Sequence, residues 1–270
     1  MEHRERRATF DEVAELYDRA RPTYPDELFD DLVELAGLGP RSRVVEVGCG
    51  TGKATLPLAG RGLRITCVEL GASMAAVARR RLALFPGVEI AVANFETWTP
   101  RRADYDAVVS FTAYHWIERE LRYVKAAEVL REGGTIAVAM IHHVLPPDAD
   151  PFFLEAQADY DAVGRGGNPP GPPEAVEGFA EEMAASGLFE VVAERRYQWD
   201  VEYTADEYMD VISTFSENIA TDAETRERLF ELLRARIGRR TLRKTYLATL
   251  DVARRANAAS LARGRADPAV

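Results

Sequence analysis

The sequence predicts an α/β fold, a doubly wound and mainly parallel sheet with helices on both faces. Three observations predict it. The run Val44-Val45-Glu46-Val47 has the apolar, β-branched character of a strand covered on both faces, and it passes directly into Gly48-Cys49-Gly50-Thr51-Gly52. Further short apolar runs recur at 63–69, 88–93, 105–111 and 135–141. Between them lie segments with helical apolar spacing, and strand–helix alternation of this kind builds parallel sheets through right-handed crossovers.

The elements follow in order. Phe10, Val13, Ala14 and Tyr17 share one helical face, and Thr9 with Glu12 forms a capping box, so a helix is expected over 10–20. Arg21 precedes Pro22, which stops it. Pro25 opens a second helix with Leu28, Leu32, Leu35 and Ala36 inward, ending at Gly37. The strand 43–47 and its glycine turn lead to a helix ending near Gly60. The strand 63–69 ends in Glu69, and the helix from Gly71 to Phe85 packs Met74, Val77, Ala78 and Leu82. Its Arg79-Arg80-Arg81 run reads as a solvated face. Strand 88–93 precedes Asn94-Phe95, and strand 105–111 precedes Thr112-Ala113-Tyr114-His115-Trp116. A helix over 118–131 and the fifth strand, 135–141, close the regular part.

From 142 to 178 the alternation breaks. A helix is expected over 150–163, then a Gly/Pro-rich loop from Gly164 to Pro173. Helices follow at 174–186 and 207–219, with an extended segment at 189–201 between them. Thr221 and Glu224 form a capping box for another helix, and 241–253 holds the last strand.

The glycine turn is the chemical centre. A phosphate loop would need a glycine at Val47 and a hydroxyl at Ala54, so that reading fails. A dinucleotide fingerprint starting at Gly48 would need glycine at Lys53, so that fails too. Such a turn before a helix is expected to present free N–H groups to an anionic group. The pattern present is Glu46-x-Gly48-x-Gly50-x-Gly52, which resembles the first motif of class I S-adenosylmethionine (SAM) methyltransferases. The small-residue-aromatic-His-Trp segment at 113–116 resembles that of the trans-aconitate and ubiquinone-pathway group. The wording from Phe10 to Pro25 resembles the N-terminal lid of small-molecule members.

The resemblance implies a Rossmann-like seven-stranded sheet with the last strand antiparallel, and a partly helical cap. It implies one methyltransferase domain: lid helices at 1–40, a SAM-binding half at 41–141, cap and substrate elements at 142–240, last strand and tail at 241–270. The implied cofactor site comprises Tyr17, Arg21, Glu46, Gly48, Gly50, Gly52, Glu69, Leu70, Asn94, Phe95 and Ser110. Glu69 lies about 20 residues past the turn, where a carboxylate accepts from ribose hydroxyls. Phe95 reads equally as core. His115, with Tyr114, is the candidate catalytic group, and His115 reads equally as a structural histidine beside Trp116. His142 and His143 come second, with no carboxylate at ligand spacing to make a metal site.

Composition excludes other classes. The formal net charge of −10 disfavours a nucleic-acid binder, which needs a basic surface. No apolar run reaches membrane-spanning length, and the charged start carries no secretory signal. Two cysteines are too few for a disulfide framework or a three-cysteine iron–sulfur motif, and reduced thiols in a cytoplasmic chain are expected. The expected activity is methyl transfer from SAM to a small-molecule acceptor, releasing S-adenosylhomocysteine. O-methylation of a carboxylate or hydroxyl is favoured, secondary metabolism being one setting, with a monomer or homodimer as the assembly. The alternatives are an NAD-type oxidoreductase and a non-catalytic SAM binder. Acceptor choice is expected from 142–178, where His142, His143, Phe152, Phe153 and Tyr160 could line a small pocket, and from the helix at 207–219.

Overall fold

The structure is a computed structural model that describes residues 9–257. Among the described residues seven strands form one sheet: β1 (Arg43–Val47), β2 (Arg64–Glu69), β3 (Val88–Val92), β4 (Tyr105–Phe111), β5 (Leu130–His143), β6 (Phe189–Tyr203) and β7 (Leu242–Arg255). Their order is β3-β2-β1-β4-β5-β7-β6. β1 pairs in parallel with β2 and β4, β2 with β3, and β4 with β5. The last strand is antiparallel. The Val144 amide donates to the Thr245 carbonyl while Arg255 reaches the Leu130 carbonyl, so sequence numbers run in opposite senses across β5 and β7. The chain winds outward from β1 to β3 and restarts beside β1 at β4, which makes the β1/β4 boundary the topological switch point.

The chain divides into two compact units. The first comprises residues up to Pro22, Ile141–Glu177 and Tyr197–Ala248; the second comprises Thr23–Met140, Gly178–Arg196 and the chain from Thr249.

The second unit holds helices α2 (Asp26–Leu35), α3 (Thr55–Gly60), α4 (Ala72–Arg81), α5 (Arg119–Val129) and α8 (Ala180–Ala185). Its core joins Val45, Val108, Ile136 and Val138 of the strands to Tyr114, Tyr123 and Phe189. β1 and β4 are buried on both faces along most of their length, as their β-branched and apolar runs predict. The helix expected at 174–186 is shorter, a single 3-10 turn at Pro173–Ala175 followed by α8. Gly178 explains the break. A Cβ there would clash with the Asp251 carboxylate, and that carboxylate accepts the Phe179 N–H at 2.7 Å.

The first unit holds α1 (Ala14–Ala20), α6 (Phe152–Glu155), α7 (Gln157–Ala162), α9 (Ala205–Ser213), α10 (Ser216–Ile219) and α11 (Ala223–Ile237). Phe152, Phe153, Tyr208, Met209, Ile212, Leu229 and Leu233 share one buried cluster. The expected helix 150–163 is two short helices, pinned by Asp150 to Arg240 and by Asp159 to Arg236 in a two-point contact at 2.5 and 2.9 Å. The helix expected at 207–219 starts earlier, where Thr204 and Glu207 form a reciprocal capping box, and breaks at Thr214. The cap of α11 is Asp222, whose side chain accepts from Thr225, and not Thr221. The first α-helix begins at Ala14 behind a 3-10 turn, with Val13 at its N-cap and no side-chain cap. No helix among the described residues is long and apolar enough to cross a membrane.

Candidate cofactor and catalytic site

The site elements of the second unit collect at the C-terminal ends of parallel strands β1 to β4, the edge where open α/β sheets bind ligands. Gly48, Gly50 and Gly52 all take positive φ, at 69°, 56° and 82°. Their N–H groups are used within the protein. Gly48 donates to the Val68 carbonyl and Gly52 to the Cys49 carbonyl, each at 2.9 Å, and Gly50 donates to Glu69 Oε2 at 2.8 Å. The expectation that these glycines offer free donors to an anion is therefore corrected: they serve shape and close approach.

Two of them show how. A Cβ on Gly48 would lie 2.5 Å from the Ala113 Cβ, so the loop after β1 and the loop after β4 touch where only glycine and alanine fit. A Cβ on Gly50 would meet nothing within 4 Å, which leaves an open backbone ledge beside Glu69. Glu69 is 8% exposed, and its other oxygen accepts the Gly71 N–H at 2.8 Å. Two backbone donors thus fix the carboxylate, one to each oxygen. Leu70, next in the chain, is 39% exposed.

Glu46 lies fully buried below the turn. Its Oε1 has no hydrogen-bond partner, while the Cys67 thiol approaches Oε2 at 3.9 Å. Burial first, then the Glu69 charge, push its carboxyl up to about 7, against hydrogen bonds from Thr55 and Cys67. The sign follows. A folded-state value above the unfolded one favours the folded form below the unfolded pKa, and that stabilisation is lost as pH rises through the folded pKa. Wild-type stability should therefore fall between about pH 4.5 and 7 by about 2–3 kcal/mol relative to Glu46→Gln. Urea unfolding of both proteins across that window checks it; parallel curves would contradict it. Cys49 and Cys67 are both buried free thiols.

The remaining predicted residues divide by role. Asn94 closes a local turn, its Oδ1 accepting the Glu96 N–H and its Nδ2 donating to Glu96 Oε2, both at 3.0 Å. Phe95 is buried in the core and stacked on Trp98. Ser110 donates to the Val47 carbonyl at 2.9 Å and ties β4 to β1. Thr112 takes φ 52°, an uncommon angle for a β-branched residue, and its hydroxyl pairs with Tyr24. That turn carries the chain from β4 to Ala113 and into a 3-10 turn at Tyr114–Trp116. Tyr114 is fully buried, and its hydroxyl donates to the Arg122 carbonyl at 2.7 Å. This is the position of a packing residue, with no hydroxyl turned outward. His115 stands partly exposed with its ring against Trp116.

Tyr17 and Arg21 belong to the first unit, where the Arg21 guanidinium donates to Thr214 Oγ1 at 2.7 Å and to its carbonyl at 3.1 Å. It also covers the rings of Tyr17 and Phe215. His142 and His143, with Gly171, Pro172, Ala175, Val176 and Glu177, line a cavity of about 320 Å³ in the same unit. Of the five residues expected to line a pocket, His142 and His143 line this cavity, while Phe152 and Phe153 belong to the buried cluster of the same unit and Tyr160 packs against it. Among the described residues no three His, Cys, Asp or Glu side chains gather as a metal site. One feature escaped the sequence reading: Lys244 on β7, buried among aromatic rings.

The sheet order and the segment that carries the glycine turn are similar to those of known methyltransferases. A methyltransferase domain model matches residues 44–134, which span the glycine turn, Glu69 and the His115 turn. The chain is 25% identical to an uncharacterized methyltransferase of Mycobacterium tuberculosis over 84% of both chains. It is 33% identical to malonyl-[acyl-carrier protein] O-methyltransferase of Geobacter sulfurreducens, over 59% of this chain and 58% of that one. It is 37% identical to trans-aconitate 2-methyltransferase of Mycobacterium ulcerans, over 44% and 42%. A solved structure from Anaeromyxobacter dehalogenans, itself only provisionally assigned as a type II methyltransferase, superposes with a TM-score of 0.61 at 25% identity, covering 87% of this chain and 97% of that one.

Proposed function

We propose that the chain binds SAM against the glycine turn of the second unit and transfers its methyl group to a carboxylate oxygen of a small-molecule acid. The observation that carries the cofactor reading is Glu69, oriented by the Gly50 and Gly71 amides beside an open glycine ledge. A carboxylate at the end of this strand, beside the turn, suits the two ribose hydroxyls. Leu70 offers apolar cover for the adenine, Asn94 a polar edge, and Glu46 an unsatisfied buried oxygen under the turn. The bound cofactor supplies a methyl already activated on a sulfonium, with a neutral leaving group.

The acceptor class rests on two relatives whose names specify trans-aconitate and O-methylation of malonyl-acyl-carrier protein. A carboxylate is ionised at neutral pH and attacks without a base, so the protein's work is positioning and exclusion of water. His115 then orients the acceptor and does not deprotonate it. On this account His115→Ala lowers turnover by only about 2- to 12-fold, the worth of one hydrogen bond, and leaves SAM affinity unchanged. A loss of about 100-fold or more would assign it a proton-transfer role and point to a hydroxyl acceptor. The reading itself is tested by incubating the protein with SAM and a panel of small carboxylic acids, following S-adenosylhomocysteine release and looking for alkali-labile methyl esters. Release with a carboxylate and ester formation is the expected result. Methyl groups found only on nitrogen or carbon would overturn it.

A further inference from the structure

Lys244 and His143 stand out in the first unit as buried nitrogen groups without polar partners. Lys244 is 1% exposed. Its ammonium lies 5.2–5.9 Å from the ring centres of Phe153, Tyr208, Phe215 and Tyr246. Among the described residues no hydrogen bond or ion pair reaches it. The charged group that acts on it is a second cation, Arg21. His143 packs on two of the same rings, Phe153 at 4.3 Å and Tyr246 at 6.5 Å, and its buried Nε2 has no hydrogen-bond partner. The imidazole also lines the cavity of about 320 Å³.

A buried ammonium is costly unless an anion or hydrogen-bond acceptors compensate it. Four rings supply part of that compensation through their π faces. What is missing is an acceptor. Burial, then the Arg21 charge, hold the lysine down at about 7, and burial with the Lys244 charge hold the His143 imidazole far below its ordinary range. His143 is therefore neutral, with one N–H to donate. The other titratable groups at hand are Tyr203 and Tyr246, whose hydroxyls bond each other at 3.0 Å, and Tyr208, all held protonated by burial. The cavity wall also carries His142 and Glu177, the latter an acidic side chain.

We propose that Lys244 and His143 form a carboxylate-binding site in the first unit, reached through the cavity that His143 lines. The ligand carboxylate accepts from the Lys244 ammonium and the His143 N–H, and so supplies the anion that the aromatic box lacks. This goes beyond the proposed function, and it rests on that reading only for the chemical class of the ligand, a small carboxylic acid.

The probes are trans-aconitate and malonate, with their neutral amides as controls, titrated calorimetrically in the absence of SAM. Wild type should bind the acids and not the amides. Lys244→Met should weaken acid binding by about 10- to 100-fold, the worth of a charge-assisted hydrogen bond, while its melting temperature holds or rises because a buried charge is gone. Equal affinity of Lys244→Met and wild type for the acids, or equal affinity of wild type for acids and amides, overturns the proposal. Should the variant not fold, the wild-type Lys244 Cε resonance decides. Its titration midpoint rises when trans-aconitate is added if the site is real, and an unmoved midpoint overturns it. The outcome is separable from the methyl-transfer reading. Lysine-dependent acid binding without ester formation keeps the site and sinks the acceptor assignment. Ester formation undiminished in Lys244→Met does the reverse.

Discussion

Glu69→Ala should bind SAM about 30- to 150-fold more weakly than wild type, a loss of about 2–3 kcal/mol. The carboxylate is held by the Gly50 and Gly71 amides, so the substitution removes the ribose acceptors and also unties the ledge. Both effects act in the same direction. Glu69→Gln separates them in part, because it keeps one acceptor oxygen and turns the other into a donor that faces a backbone N–H. Its affinity should fall between those of wild type and Glu69→Ala. Calorimetry with S-adenosylhomocysteine reads all three. An unchanged dissociation constant in Glu69→Ala would remove the residue from the cofactor site.

Gly48→Ala should cost about 2–5 kcal/mol of stability, combining left-handed backbone strain with overpacking. The new methyl would stand 2.5 Å from the Ala113 Cβ, and the backbone sits at φ 69°. Relief would require the loops after β1 and β4 to part, which displaces the turn that carries His115. Gly50→Ala is the contrast. Its backbone is also left-handed, at φ 56°, but a methyl there meets nothing within 4 Å. It should cost only about 1–3 kcal/mol, the strain alone, while its methyl projects over the ledge and weakens SAM binding. Urea unfolding with SAM titration distinguishes the two. Equal stability losses would mean that the Gly48–Ala113 contact relaxes at no cost.

The parts of this molecule that sequence could reveal are those set by local pattern. The β-branched run at 44–47 and the glycine spacing after it announce a buried strand and a special turn. That Glu69 ends the second strand was legible from the apolar run before it, and the structure places it there beside the glycine turn. The fate of the turn's N–H groups was not legible. It depends on the Val68 carbonyl and the Glu69 side chain, which a neighbouring strand brings into register. Tyr114 was misread for a similar reason: an aromatic hydroxyl beside a histidine suggests chemistry, yet its partner is the Arg122 carbonyl eight residues on. Adjacent signals also compete. Thr221 and Asp222 both suit a helix cap, and the structure uses Asp222, while the Thr204–Glu207 box was available in the sequence and overlooked. Lys244 left a trace as well. It occupies the same strand register as Leu242, Tyr246, Ala248 and Leu250, all buried, and a lysine in such a register signals either an edge or a site.

Crystals grown with S-adenosylhomocysteine test the central claim most directly. The account predicts both ribose hydroxyls on the Glu69 carboxylate, the chain of the amino acid across the Gly48–Gly52 turn, and the adenine between Leu70 and Asn94. A ligand bound at another edge of the sheet, or with its ribose away from Glu69, would contradict it.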